Sequence, residues 1–241
     1  MRDATMHLNG VDLRFDTYGP DAAAVVVLLH ALGESAHDWQ RVAEALAETF
    51  RVIVPDARGH GGSGTAEAYS FELMRDDTLA LLDHLDVRRT AIIGHSMGGT
   101  VAYLVAETRP AMVCCLAIED TPVPRGADLP EPPAEAPDDV AFDWSLVGPI
   151  MRQLNQPDPA WWDDLRVISA SVLVIGGGPD STLDQAQLRD VCAAIPGARF
   201  VSIGGGHYVH ATKPAEYIAL VASFLAAHRA HSAIERDSGD A

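Results

Sequence analysis

Gly94-His95-Ser96-Met97-Gly98-Gly99 follows directly on the apolar run Ala91-Ile92-Ile93. The apolar run has the composition of a buried strand, and the residues after Gly98 have the periodicity of a helix. Glycines on either side of a serine permit a tight turn that lifts the hydroxyl away from the backbone, where a base can reach it. This stretch therefore predicts a strand, an exposed nucleophile at Ser96, and a helix.

The rest of the chain alternates strand-like and helix-like segments around this stretch. A hairpin is predicted over His7 to Tyr18, with its turn at Asn9-Gly10. Further strands are predicted at 25–29, 51–55, 91–93, 113–118, 172–175 and 199–203, and helices at 38–48, 71–85 (with Ser70 as N-cap), 98–109, 183–195 and 214–227. Such alternation predicts an α/β fold with a mostly parallel sheet, helices on both faces, and ligands at the carboxyl ends of the strands.

One segment interrupts the alternation. Thr121 to Pro159 holds nine of the 15 prolines, and its best helical pattern is Phe142 to Leu154. We therefore predict a core formed by residues 1–120 and 169–230, an insertion over 121–168, and a disordered tail over 231–241.

Composition limits the function classes. The chain has 241 residues and a formal net charge of −17, which argues against binding to nucleic acid or to an anionic membrane surface. No apolar run approaches the roughly 20 residues of a membrane span, and the N-terminus lacks the apolar stretch of a secretory signal. Of the three cysteines, Cys114, Cys115 and Cys192, the adjacent pair Cys114 and Cys115 has the setting of small core residues. A cytoplasmic protein is expected, and its oligomeric state is left open.

A serine nucleophile needs a general base and a carboxylate that orients the base. His207 follows the strand predicted to end at Ile203, and Asp180 follows the strand predicted to end at Ile175. Ser96, Asp180 and His207 therefore form the predicted catalytic triad, in the chain order expected for this architecture. Glu119 and Asp120, at the end of the preceding strand, are alternatives for the acid.

Acyl transfer also needs N–H donors for the developing oxyanion. The backbone N–H of Met97, at the start of a helix, is one predicted donor. The second, by its position in the loop after Leu29, is the backbone N–H of Leu32.

These motifs resemble the α/β-hydrolase superfamily over nearly the whole chain. The resemblance includes Gly94 to Gly99, His30-Ala31-Leu32-Gly33, Pro55 to Ser63, and Gly206-His207 followed by Lys213-Pro214. Ala31 departs from the family pattern, which usually has glycine there. The resemblance implies an α/β-hydrolase fold, and a serine esterase or lactonase in which the insertion is a short cap over the active site.

Other polar and aromatic residues near these motifs have less specific roles. His30, Trp144 and Tyr208 are candidate substrate-binding residues, although His30 is also expected to brace the oxyanion loop and Trp144 to pack the cap. His95 is not expected to act as a base, and His210 is expected to be exposed to solvent. The sequence shows no spacing typical of a metal site and no dinucleotide-binding fingerprint, so neither a metal nor a cofactor is predicted.

The sequence thus predicts a serine hydrolase that cleaves a small-molecule carboxylic ester or lactone through an acyl-enzyme. A C–C bond hydrolase, a perhydrolase or a thioesterase could use the same triad. A non-catalytic ligand-binding protein on the same scaffold is a further alternative, because fold alone does not establish catalysis.

Overall fold

An eight-stranded sheet forms the centre of the protein, in the order β1-β2-β4-β3-β5-β6-β7-β8. The computed structural model describes residues 1–237. β1, β2 and β4 pair in antiparallel fashion, and the remaining neighbours are parallel. The strands are β1 (Arg2–Leu8), β2 (Val11–Tyr18), β3 (Val25–Leu29), β4 (Arg51–Pro55), β5 (Thr90–His95), β6 (Val113–Glu119), β7 (Ser171–Gly176) and β8 (Arg199–Ser202).

Helices connect the parallel strands. They are α1 (Gln40–Leu46), α2 (Phe71–His84), α3 (Met97–Thr108), α4 (Val147–Asn155), α5 (Ala160–Asp163), α6 (Gln185–Ala194), α7 (Val209–Thr212) and α8 (Pro214–Asp237). Two buried apolar clusters contain alternate residues of the same strands: Val27 and Ile92 belong to one, Val26 and Ile93 to the other. The central strands are therefore buried on both faces, which confirms the predicted α/β class.

Local signals in the sequence account for the element boundaries. Asn9 and Gly10 both have positive φ angles (50° and 78°), as a two-residue hairpin turn requires. The Ser70 side chain accepts a hydrogen bond from the N–H of Leu73 and so caps α2 as predicted. Because the parallel strands all run one way, the loops after β3, β5, β6, β7 and β8 lie at one edge of the sheet.

The segment between β6 and β7 contains helices and irregular chain. α4 begins later than the predicted helix, at Val147, and the turn Trp144–Leu146 precedes it. α8 continues through Asp237, so residues 231–237 of the predicted disordered tail are helical, and residues 238–241 lie outside the described part. Among the described residues, no helix is both long enough and apolar enough to span a membrane.

Candidate active site

Ser96 lies in a sharp turn between β5 and α3. Its φ and ψ angles are 51° and −118°, an unfavourable conformation for a residue with a side chain. Close packing around the turn accounts for the glycines: a Cβ on Gly94 would lie 2.4 Å from the Gly98 carbonyl oxygen, and one on Gly98 would lie 2.3 Å from that of Leu29. The strand and helix can approach this closely only without side chains, and the turn leaves Ser96 partly exposed.

His207 pairs with Asp120 and not with Asp180. The distance between His207 Nδ1 and Asp120 Oδ2 is 2.9 Å. Asp180 is exposed, and within the described residues its carboxylate makes no hydrogen bond with His207. Asp120, one of the two alternative residues after β6, is therefore the carboxylate that contacts His207, and the expected contact of Asp180 with His207 is absent from the described residues.

Residues on either side of Asp180 donate hydrogen bonds to the side chain of Asp120. The hydroxyl of Ser181 donates to Asp120 Oδ2 at 2.5 Å. The N–H of Gly177 and the side-chain amide of Gln185 each donate to Oδ1 at 2.9 Å. Burial acts to raise the pKa of Asp120, but the hydrogen bonds from His207, Ser181, Gln185 and Gly177 outweigh it, so the pKa lies below its ordinary value. Asp120 is thus held as a carboxylate beside His207.

His30 orients the oxyanion loop. Its Nε2 accepts a hydrogen bond from the N–H of Ala57 at 3.0 Å, so Nδ1 carries the proton and donates to the carbonyl of Ala31 at 2.8 Å. The N–H of Glu34 donates to the same carbonyl at 3.2 Å. In a trans peptide the carbonyl and the next N–H point in opposite directions. Fixing the Ala31 carbonyl therefore also fixes the direction of the Leu32 N–H, the predicted oxyanion donor.

The start of α3 is tied to this loop. The N–H of Gly98 donates to the carbonyl of His30 at 3.1 Å. Met97 is the first residue of the helix, so its N–H has no acceptor within the helix and remains available for a negative charge. The two predicted oxyanion donors thus lie on segments joined by a direct hydrogen bond.

The three candidate substrate-binding residues lie in different settings. His30 is buried, and both its ring nitrogens are hydrogen-bonded to backbone groups, so its polar atoms brace the loop. Trp144 donates its indole N–H to the carbonyl of Pro133 and lines an open groove of about 830 Å³, which Ser96 does not line. Tyr208 is 37% exposed, and its ring centroid lies 5.3 Å from that of His207. Of these three residues, Tyr208 is the one whose ring contacts that of His207.

A second histidine, His210, lies three positions after His207, and it is buried where exposure to solvent was expected. His210 is 2% exposed. Its Nδ1 lies 2.8 Å and 2.9 Å from the two carboxylate oxygens of Glu119, and its backbone N–H donates to Glu119 Oε1 at 2.9 Å. Nε2 lies 3.1 Å from Asp38 Oδ2, although the angle there falls outside hydrogen-bond geometry, so this contact is an ion pair. Sequence spacing alone gave no sign of this pairing.

Two carboxylates make His210 a cation. Burial acts to lower its pKa, but Asp38 and Glu119 outweigh burial and raise the pKa to about 9. The indole of Trp39 stacks on the ring, with 4.3 Å between ring centroids. His95, whose centroid lies 5.2 Å from that of His210, is fully buried, and neither of its ring nitrogens has a hydrogen-bond partner among the described residues. Burial lowers the pKa of His95 to about 4, so this ring is neutral.

Asp38, His95 and His210 are also the residues of the described chain that best match a set of metal ligands. Their ligand atoms lie within 4.8 Å of one another. Both ring nitrogens of His210 already face carboxylates, so a metal ion there would have to displace the imidazolium proton.

Comparison with known proteins places these features in a family. Residues 24–158 match the sequence profile of the α/β-hydrolase fold. The chain is 34% identical to lipase LipV of Mycobacterium tuberculosis over 191 residues, which cover 79% of this chain and 66% of that one. It is 40% identical to the magnesium-chelatase 30 kDa subunit of Rhodobacter capsulatus over 109 residues, 44% of this chain.

The chain spans about a third of the length of that subunit, since the alignment covers 34% of it. Among solved structures, a hydrolase from Pseudomonas aeruginosa superimposes with a TM-score of 0.81 at 25% identity. This superposition covers 92% of this chain and 98% of the other. The likeness therefore extends over the sheet and the helices on both of its faces.

Proposed function

Since the chain belongs to the α/β-hydrolase-fold family, we propose that it is a serine hydrolase that cleaves a carboxylic ester or lactone through an acyl-enzyme. One observation carries the proposal: the His207–Asp120 hydrogen bond of 2.9 Å lies at the same edge of the sheet as Ser96, which is held in a strained turn. The ring centroid of His207 is 4.6 Å from that of His95, the residue before Ser96. The base and the nucleophile are thus on adjoining segments.

In the first half of the proposed reaction, Ser96 attacks the carbonyl carbon of the ester. His207 accepts the serine proton at Nε2, the nitrogen that does not face Asp120, and Asp120 stabilises the resulting imidazolium. The N–H groups of Leu32 and Met97 stabilise the oxyanion. The C–O bond to the alcohol then breaks, and His207 returns the proton to the leaving oxygen.

In the second half, water replaces the alcohol. His207 removes a proton from water as it attacks the acyl carbon, and the same N–H groups stabilise the second oxyanion. The bond to Ser96 Oγ then breaks, and the serine recovers its proton from His207. The product is a free carboxylic acid, and no redox change occurs.

Site-directed mutagenesis tests the proposal directly. We expect Ser96→Ala to lower kcat on p-nitrophenyl esters by at least about 10⁴-fold, because the nucleophile is lost. A fluorophosphonate should label the natural protein at Ser96 and leave the variant unlabelled. Unchanged ester turnover in purified Ser96→Ala would overturn the proposal.

Substrate class requires a separate panel. Aryl esters, alkyl esters, lactones and thioesters of matched acyl length should be compared by kcat/KM. A preference for oxygen esters or lactones supports the proposed class. Thioester turnover that exceeds that of the matched oxygen ester would instead assign the site to a thioesterase.

A further inference from the structure

His210 joins three separate loops at the site. It lies in α7, three positions after His207, the proposed base. Its side chain contacts Glu119, the residue before Asp120, the proposed acid. It also contacts Asp38, in the turn Ala36–Trp39 that follows the oxyanion loop. One buried side chain therefore contacts residues next to the proposed acid and shortly after the oxyanion loop, and it lies three positions after the proposed base.

The contacts of His210 with Glu119 fix the start of α7 against the end of β6. Glu119 accepts both the backbone N–H and the ring Nδ1–H of His210, so the start of α7 has a fixed position against the end of β6. Asp120 has a positive φ of 43°. This turn sends neighbouring carboxylates to different partners: Glu119 to His210, and Asp120 to His207. We therefore expect a displacement of His210 relative to Glu119 to disturb the His207–Asp120 geometry as well.

Every element packed against His210 contributes a charged or titratable side chain to its surroundings. Asp38 and Glu119 contact the ring directly, while His95 from β5 and Tyr217 from α8 lie edge-on to it, with ring centroids at 5.2 Å and 6.0 Å. Glu34 and Tyr208 lie farther towards the rim, where the His210–Tyr208 centroid distance is 6.5 Å. The two carboxylates in contact require a cation between them, and the neutral His95 does not compete for that role.

We propose that His210, as a buried imidazolium between Asp38 and Glu119, is a positioning residue that holds His207, Asp120 and the oxyanion loop in register for acyl transfer. This inference rests on the proposed hydrolase function. It assigns His210 no proton transfer with substrate, since both of its ring nitrogens face protein carboxylates. It predicts that loss of the cation lowers the rate of the chemical step and leaves substrate affinity nearly unchanged.

The central variant is His210→Gln, studied beside Leu82→Ala as a matched control. Leu82 is buried in α2 and is not among the residues proposed for catalysis, so its truncation destabilises the core and leaves the proposed catalytic groups unchanged. With active sites counted by fluorophosphonate, we expect His210→Gln to lower kcat about 10- to 100-fold, as a small misplacement of catalytic groups does, with KM within about twofold. Leu82→Ala should keep its kcat per active site.

A second readout does not depend on turnover. The proton between His207 Nδ1 and Asp120 should give a downfield resonance in the ¹H NMR spectrum, and His210→Gln should broaden or remove it while Leu82→Ala preserves it. If the natural protein hydrolyses no ester, the proposed function fails, and the resonance still decides whether His210 positions His207. A persistent resonance together with a kcat within twofold of the natural value overturns the inference.

Asp38→Asn provides a milder variant in case His210→Gln does not fold. It removes one of the two carboxylates that stabilise the cation and leaves the Glu119 contacts in place. The alkaline limb of the kcat profile should therefore move down by about 1 pH unit, because His210 loses its proton more easily. A purely packing role for His210 predicts the same limb in both proteins, and that result would contradict the inference.

Discussion

Two histidine–carboxylate pairs lie side by side in this protein and have opposite surroundings. His207 and Asp120 form one pair, and the His207 side chain is 21% exposed. His210 and Glu119 form the other, in which the side chains are 1% and 0% exposed. The histidines are three residues apart on one loop, and the acids are adjacent at the end of one strand.

Surroundings decide what each pair can do. Asp120 faces one ring nitrogen of His207, so the other nitrogen is free to exchange a proton with a nucleophile. His210 has a carboxylate facing each ring nitrogen, so neither of its two N–H groups faces a possible substrate. The same two residue types thus give a proposed acid–base group in one pair and a fixed buried ion in the other.

The largest effect is expected when the carboxylate of the first pair is replaced by an amide. We expect Asp120→Asn to lower kcat on esters by about 10³- to 10⁴-fold, because the amide cannot stabilise the His207 imidazolium. Asp180→Asn is the matched control, and its kcat should stay within about twofold of the natural value. Both should be measured per fluorophosphonate-titrated active site. The opposite ranking would restore Asp180 as the acid.

The buried pair of His210 and Glu119 should make the free energy of unfolding depend on pH. The pKa of His210 is raised from 6.5 to about 9, so the folded protein binds more protons than the unfolded chain between these pH values. The resulting stabilisation, on the order of 3 kcal/mol, is complete below about pH 6.5 and is lost as the pH rises through about 9.

Urea unfolding between pH 6 and pH 10 measures this loss. His210→Gln should lack most of the decline above about pH 8, because glutamine at this position has no proton to lose there. A natural protein that is as stable at pH 10 as at pH 6 would show that His210 is not a cation in the folded state.

A third histidine–carboxylate pair, His7 and Asp12, is exposed, and we expect it to contribute least to the free energy of unfolding. His7 Nδ1 lies 2.8 Å from Asp12 Oδ1, but the two side chains are 70% and 64% exposed. Water screens such a pair, so His7→Ala should change the free energy of unfolding by less than about 0.5 kcal/mol. A loss above about 1 kcal/mol in urea unfolding would show that distance, rather than burial, governs these pairs.

Signals that act over a few residues made the fold predictable. Asn9-Gly10 specifies a hairpin turn, Ser70 caps a helix, and the apolar strand Val25–Leu29 is bounded as expected. The turn at Ser96 includes one requirement of this kind, because a Cβ on Gly94 would lie 2.4 Å from the carbonyl oxygen of Gly98, four residues away. Each of these features depends mainly on a residue and its near neighbours.

The choice of acid could not be made in this way. Asp180 and Asp120 both follow parallel strands, and either could face His207 in principle. Asp120 is the carboxylate that Ser181, Gly177 and Gln185 stabilise by donating hydrogen bonds from the loop after β7 and the start of α6. These donors lie 57 to 65 positions from the acid in the chain, and their spacing has no periodic signature.

The sequence by itself determined that this protein is an α/β fold with a serine turn and a histidine at one edge of its sheet. Turn residues and apolar periodicity are local features, so they can be recognised in the sequence without the structure. Only the tertiary structure decided that Asp120 faces His207 and that His210 is a buried ion between Asp38 and Glu119. Those outcomes depend on burial and on contacts between distant loops, and the chain acquires both only when the strands pack together.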